Sequence, residues 1–205
     1  MKTVKKVFLI SLLVMGINTS KAQENSVIDA FTQSYYYEKI ANFTSAVSTL
    51  KKVYAADSYE INLRLGWLTY NAGLYKESMN YYMTSINLRP VSIEARLGYV
   101  YPAAAFGNMN QVIEQYNKVL EIAPLHSTVN YKLGYIYYEK KDYVTAIKYF
   151  EKVVNLYPFT YDGLLMYAWT NFQLGKTREA QVLFNKVLLL SPGDKSALEG
   201  LSYIK

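Results

Sequence analysis

Proline recurs every 34 residues in the chain, at Pro90, Pro124, Pro158 and Pro192. Three more columns keep the same period. Gly73, Gly107 and Gly175 lie one and two periods apart, with Lys141 filling the gap. Tyr82, Tyr116, Phe150 and Phe184 step by the same interval, as do Ile86, Leu120, Val154 and Leu188. Columns aligned in this way define a tandem array, in which each unit is one supersecondary element that buries its apolar face on its neighbours. Counting from Pro90 sets units at 59–92, 93–126, 127–160 and 161–194. An earlier unit, 27–58, fits through Phe43, Ala46, Leu50 and Val53, but it is two residues shorter and has no closing proline.

The pattern inside a unit is helix, turn, helix. In 127–160, Asn130, Leu133, Gly134 and Tyr137 follow the i, i+3, i+4, i+7 spacing of one helix face. Lys141-Asp142 interrupts it. Tyr143, Ala146, Ile147, Phe150, Val153 and Val154 restart it on a second helix that Pro158 ends. Neither short helix buries its stripe alone, so the pair closes on itself and stacks on the next.

The Leu-Gly pairs (Leu65-Gly66, Leu133-Gly134), the glycine turn, the small-residue column (Ala46, Ser78, Val112, Ala146, Ala180), the aromatic column and the closing proline together resemble the tetratricopeptide repeat. The resemblance covers 27–205. It implies an all-α fold: an α-solenoid of five tandem helix-turn-helix repeats wound as a right-handed superhelix, of a bacterial secreted or periplasmic type. Some places depart from the family pattern. The early tryptophan is replaced by Asn62, Arg96, Asn130 or Leu164, and unit 93–126 has Val100 for a glycine and Pro102 in mid-helix. A proline there predicts a kinked or shortened helix. Residues 195–205 predict a further helix, apolar at Leu198, Leu201 and Ile204, that caps the open end of the array.

The N-terminus reads as an address. Lys2, Lys5 and Lys6 precede an uncharged apolar run from Val7 to Ile17, and Ser20 and Ala22 are small residues placed for cleavage after Ala22. This resembles bacterial export signals. Eleven helical residues rise only about 16 Å, too short for a hydrocarbon core of about 30 Å. The expectation is a signal peptide at 1–22, a short linker at 23–26, and an exported protein in the periplasm or outside the cell, with no stable membrane span after cleavage. The whole chain carries +6, but residues 1–22 hold four lysines and no acid, so 18 Lys+Arg face 16 Asp+Glu in the remainder. A net +2 gives no electrostatic case for nucleic acid.

Composition narrows the chemistry. The absence of cysteine excludes disulfides, zinc–cysteine sites and thiol catalysis. The single histidine, His126, argues against a histidine metal site or a serine–histidine triad, and reads as a solvated residue between repeats. The carboxylates are scattered, and no Walker, dinucleotide or HExxH pattern occurs. No cofactor or metal is expected, and no enzyme activity.

Tyrosine, by contrast, is abundant, with 22 in the chain. The packing face of each first helix centres on the fourth, seventh, eighth and eleventh places of the unit. A simple surface helix would be polar on the opposite side. Here the ninth place holds Tyr35, Trp67, Tyr101, Tyr135 and Trp169, and the twelfth adds Tyr70, Tyr138 and Phe172. The fifth place holds Phe31, Leu63, Leu97, Tyr131 and Leu165; the leucines are assigned to the seam between first helices. In the resembled family this face lines a concave groove that binds partner segments. Carried over, it makes Tyr35, Trp67, Tyr70, Tyr101, Tyr131, Tyr135, Tyr138, Trp169 and Phe172 the candidate partner-binding set. Glu60, Glu94 and Asp162 would fringe the groove, favouring apolar, Pro-rich or mildly basic peptide. Arg64, Asn71 and Lys132 are too few for a carboxylate clamp. The function implied is a non-catalytic scaffold that binds a protein or peptide segment of an envelope protein. Two alternatives stay open: an envelope glycan or peptidoglycan stacking on the same rings, and a structural role in which the stripe self-associates. The sequence leaves the oligomeric state undetermined.

Overall fold

A computed structural model of the chain describes residues 25–204, so the export-signal reading of 1–22 lies outside the described residues. Every regular element among them is helical: α1 (25–39), α2 (Phe43–Lys51), α3 (Tyr59–Asn71), α4 (Tyr75–Leu88), α5 (Ile93–Ala105), α6 (Met109–Ile122), α7 (Ser127–Glu139), α8 (Tyr143–Leu156), α9 (Tyr161–Gln173), α10 (Thr177–Leu190) and α11 (Lys195–Ser202). Residues 25 and 26, grouped with the linker on sequence, already belong to α1. The short first unit has its deficit in α2, which has 9 residues where α4, α8 and α10 have 14, so Val53 falls beyond the helix end. Pro102 does not shorten α5, which has the same 13 residues as α3, α7 and α9. The proline sits near the C-terminal end, where its missing N–H costs a single bond, to Gly98 O, and Phe106 N–H still reaches Pro102 O.

Each unit's two helices are joined by a turn with one left-handed residue at the fifteenth place. Gly73, Gly107 and Gly175 have φ of 77°, 83° and 74° there, and Ala41 (56°) and Lys141 (60°) take the same conformation despite a Cβ. Three first helices start on side-chain caps, Ser58, Ser92 and Asp194 accepting from the N–H groups of Ile61, Ala95 and Ala197, whereas Thr160 before α9 makes no such bond. His126 occupies the equivalent place. It is not a solvated loop residue but the cap of α7, its Nδ1 accepting from Val129 N–H at 3.4 Å.

Asn62 and Asn130, at the family's tryptophan place, are buried and tie down the turn before their helix. Asn62 Nδ2 donates to Ser58 O (2.7 Å) and Ala56 O (3.1 Å), and Asn130 Nδ2 to Pro124 O and His126 O (3.0 Å each). Tyrosines at the first place secure the next turn: Tyr59 Oη lies 2.7 Å from Ser92 Oγ, and Tyr161 donates to Asp194 Oδ2 at 2.6 Å.

The chain divides into two compact units after Val112. In the first, Ala46, Leu50, Ile61, Leu65 and Leu68 form a sealed core under Phe31, Phe43 and Val53. In the second, Leu164, Ala168, Ala180, Phe184 and Val187 pack with Ala197 of α11. Each fully buried leucine contributes about 2 kcal/mol. The terminal helix turns Ala197, Gly200 and Leu201 inward, and Ile204 just beyond it packs on the same core, while Leu198, expected on that side, is 47% exposed. No helix among the described residues is long and apolar enough to cross a membrane.

Candidate functional site

Four of the five ninth-place rings are open to solvent: Tyr35, Trp67, Tyr101 and Tyr135. Trp169 differs. It is half-buried, its indole N–H donates to Ser196 Oγ of α11 at 2.9 Å, and its ring meets Phe184 and Tyr203. Tyr203 lies 34 residues after Trp169 and is exposed, so α11 stands as the first helix of a sixth unit and extends the column. The period alone could have identified it.

The twelfth-place rings, expected on an open groove, are half-buried. The reason is local: the twelfth place lies beside the turn, so its ring packs on the first residue of the second helix. Tyr70 lies 5.9 Å from Tyr75, and Tyr138 lies 5.2 Å from Tyr143. Phe172 packs on Trp169 and Tyr203. Tyr131, at the fifth place, is half-buried with its ring edge-on to Phe150 at 5.8 Å. In the second unit, then, only Tyr135 of the predicted set stands exposed.

The first compact unit, up to Val112, holds a cavity of about 780 Å³ over α1, α3 and α5. Tyr35, Trp67 and Tyr101 stand on its walls with Glu60 and Glu94. Leu63 and Leu97, assigned on sequence to the seam, are half-buried and line it as well. Tyr70 does not line it but ties two of its rings, with centroids 6.1 Å from Trp67 and 5.8 Å from Tyr101.

Tyr82 is the deepest wall. Its ring is held between Gly66 of α3 and Gly98 of α5, so closely that a Cβ added at Gly98 would come within 2.2 Å of it. The ring is 4% exposed, and burial pushes its hydroxyl far above the usual phenol range, so it stays protonated.

The charged framework is self-contained. Arg64, on the cavity wall and buried, lays its guanidinium 3.8 Å over the Tyr35 ring, donates from Nε to Ser34 Oγ and pairs with Glu38. Glu38 also accepts the indole N–H of Trp67. Burial alone would raise the Glu38 carboxyl, but the hydrogen bonds from Trp67 and Arg64 outweigh it and hold it below the ordinary value. Glu38 sits at the twelfth place of its unit, where later units carry Tyr70, Tyr138 and Phe172. A lone carboxylate in a ring column was the signal that it does something else. Tyr59, also unassigned on sequence, donates to Glu94 Oε2 at 3.3 Å.

No group of three acidic or histidine residues among the described residues is arranged to hold a metal. The arrangement offers rings and carboxylates at fixed positions.

Family models described as tetratricopeptide repeat match residues 59–92, 129–160 and 162–194. A tetratricopeptide repeat protein from Parabacteroides merdae is structurally similar, with a TM-score of 0.73 at 20% identity over 88% of this chain and 72% of that one. A MamA protein matches with a TM-score of 0.69 at 19% identity, covering 88% of this chain and 96% of its own. A MamA RS-1 double mutant gives 0.70 at 18% identity over 83% and 97%. At these identities the likeness is one of fold. No curated protein matches the sequence.

Proposed function

Because the chain belongs to the tetratricopeptide repeat family, whose members serve as protein-binding scaffolds, we propose that it is a non-catalytic scaffold that receives an extended segment of a partner protein on the first-helix face of its first unit. We place its work in the bacterial envelope, following export on the N-terminal signal, and the partner among envelope proteins. One observation carries the reading: the cavity with Tyr35, Trp67 and Tyr101 exposed around it. Rings in a fixed frame give large contact area at little entropic cost, and tyrosine and tryptophan keep a polar edge for hydrogen bonds. Arg64 pairs with Glu38 and lies over Tyr35, and Glu38 holds the Trp67 indole, so little ordering remains to oppose binding.

The test is crosslinking in the native envelope with wild type beside Trp67→Ala and Tyr101→Ala. Both variants should fold with unchanged helical signal and lose the crosslinked partner. Capture of the same partner by both would overturn the reading. Trp67 emission that responds to envelope glycans and to no peptide would transfer the site to sugar binding.

A further inference from the structure

We propose that the cavity of the first unit anchors a lysine or arginine side chain of the bound segment, a deepening that rests on the scaffold reading above. Charge is the first ground. Of the two carboxylates on the wall, Glu94 accepts from the neutral Tyr59 hydroxyl at 3.3 Å. Glu60 meets Arg89 at 3.0 Å, but both side chains are more than half exposed, so that pair is solvated and weak. The cation inside the cavity, Arg64, does not answer these carboxylates, because its charge is already matched by Glu38 and its face is spent on Tyr35. The site is left with acid to spare.

The rings are the second ground. Trp67 and Tyr101 line the same cavity as those carboxylates, with exposed rings that carry no cation among the described residues, and a cation between a ring and a carboxylate is stabilised by both. This chain already uses that chemistry nearby, with Arg64 over Tyr35 and Arg89 4.4 Å over Tyr59. The buried Tyr82 hydroxyl gains nothing from ionising, and as a neutral phenol it presents an oxygen lone pair that an ammonium can use. An acidic segment would meet Glu60 and Glu94 at contact distance and be repelled.

The probe is a phage-displayed library of random ten-residue peptides, panned against the full chain, Trp67→Ala and Glu60→Gln/Glu94→Gln. Peptides enriched on wild type should share a lysine or arginine at one position. A synthetic copy should lose about tenfold in affinity when that residue becomes norleucine, and as much on the double glutamine variant. Enriched peptides that depend on Trp67 but share no basic position, or that bind the double variant unchanged, overturn the cation anchor and leave the scaffold reading standing. No enrichment over Trp67→Ala overturns both. Should the double variant lose its helical signal, salt reads the same point on wild type: affinity that does not fall as ionic strength rises refutes the anchor.

Discussion

Gly98→Ala tests whether the close approach at the floor of the cavity is what the packing depends on. A Cβ at this position would meet Tyr82 Cε1 at 2.2 Å and Cζ at 2.6 Å, where ordinary contact starts at 3.4 Å. Ring and helix must therefore separate by about 1 Å, and the ring cannot tilt aside, because Gly66 holds its other face at 2.9 Å from a built Cβ. Overpacking of this kind costs about 1–3 kcal/mol. Alanine recovers about 1 kcal/mol in a helix interior relative to glycine. An approach of 2.2 Å puts this position at the upper end of the overpacking range, so the balance is a loss of about 2 kcal/mol, read as a lower urea midpoint by far-UV circular dichroism at unchanged slope. In the Tyr82→Leu background the flat ring is gone, so the same substitution should cost less, and the two changes should be non-additive. A Gly98→Ala variant as stable as wild type, or strictly additive with Tyr82→Leu, would refute the reasoning.

Two further outcomes follow from the backbone and the caps. Lys141→Gly should raise stability by about 1 kcal/mol in the same urea assay, because Lys141 adopts the left-handed φ of 60° that glycine takes at the matching place of other units; no gain would mean the turn is unstrained. Asp142 is held below the usual carboxylate range by its side-chain and backbone hydrogen bonds to Thr145, and Asp194 by the Tyr161 hydroxyl and then the Ala197 N–H. A lowered folded-state pKa gives stability that is fully present above the unfolded value of about 4 and lost as pH falls through the folded one. Asp142→Asn/Asp194→Asn should keep both caps and flatten the stability profile below about pH 4 relative to wild type; identical acid limbs would remove these two groups as its cause.

The array was legible because every unit solves the same packing problem. Phe150 and Phe184 recur at one place since each ring packs against the backbone of a first helix, at Gly134 and at Gly200, and that requirement prints the same residue type every 34 positions. What the period hides is a residue that breaks from its column for a reason outside it. Glu38 pairs with Arg64 from the next helix pair, and His126 substitutes an imidazole for a hydroxyl or carboxylate cap. Neither follows from spacing. Helix-wheel reasoning also overstated the open ring face: it counts directions about one axis and cannot see that Tyr70 and Tyr138 reach across the turn to Tyr75 and Tyr143, or that α11 covers Trp169. Pro102 leaves α5 at full length because its cost depends on how much helix follows it, and only three residues do.

The ring column alone does not make a site; it recurs in every unit. The cavity depends on what stands at the sixth place, one turn before the ninth-place ring. Gly98 puts no side chain there on α5, so the Tyr82 ring takes that place and lines the cavity with Trp67 and Tyr101. The next two units carry Lys132 and Met166 there, long side chains on the same face of the helix. Gly98 therefore has two consequences from one missing Cβ: it lets the Tyr82 ring pack against the backbone, and it keeps that ring at the bottom of a space a ligand can enter. The strain expected of Gly98→Ala and the loss of recognition expected of any larger residue at 98 are the same geometry, measured once as stability and once as affinity.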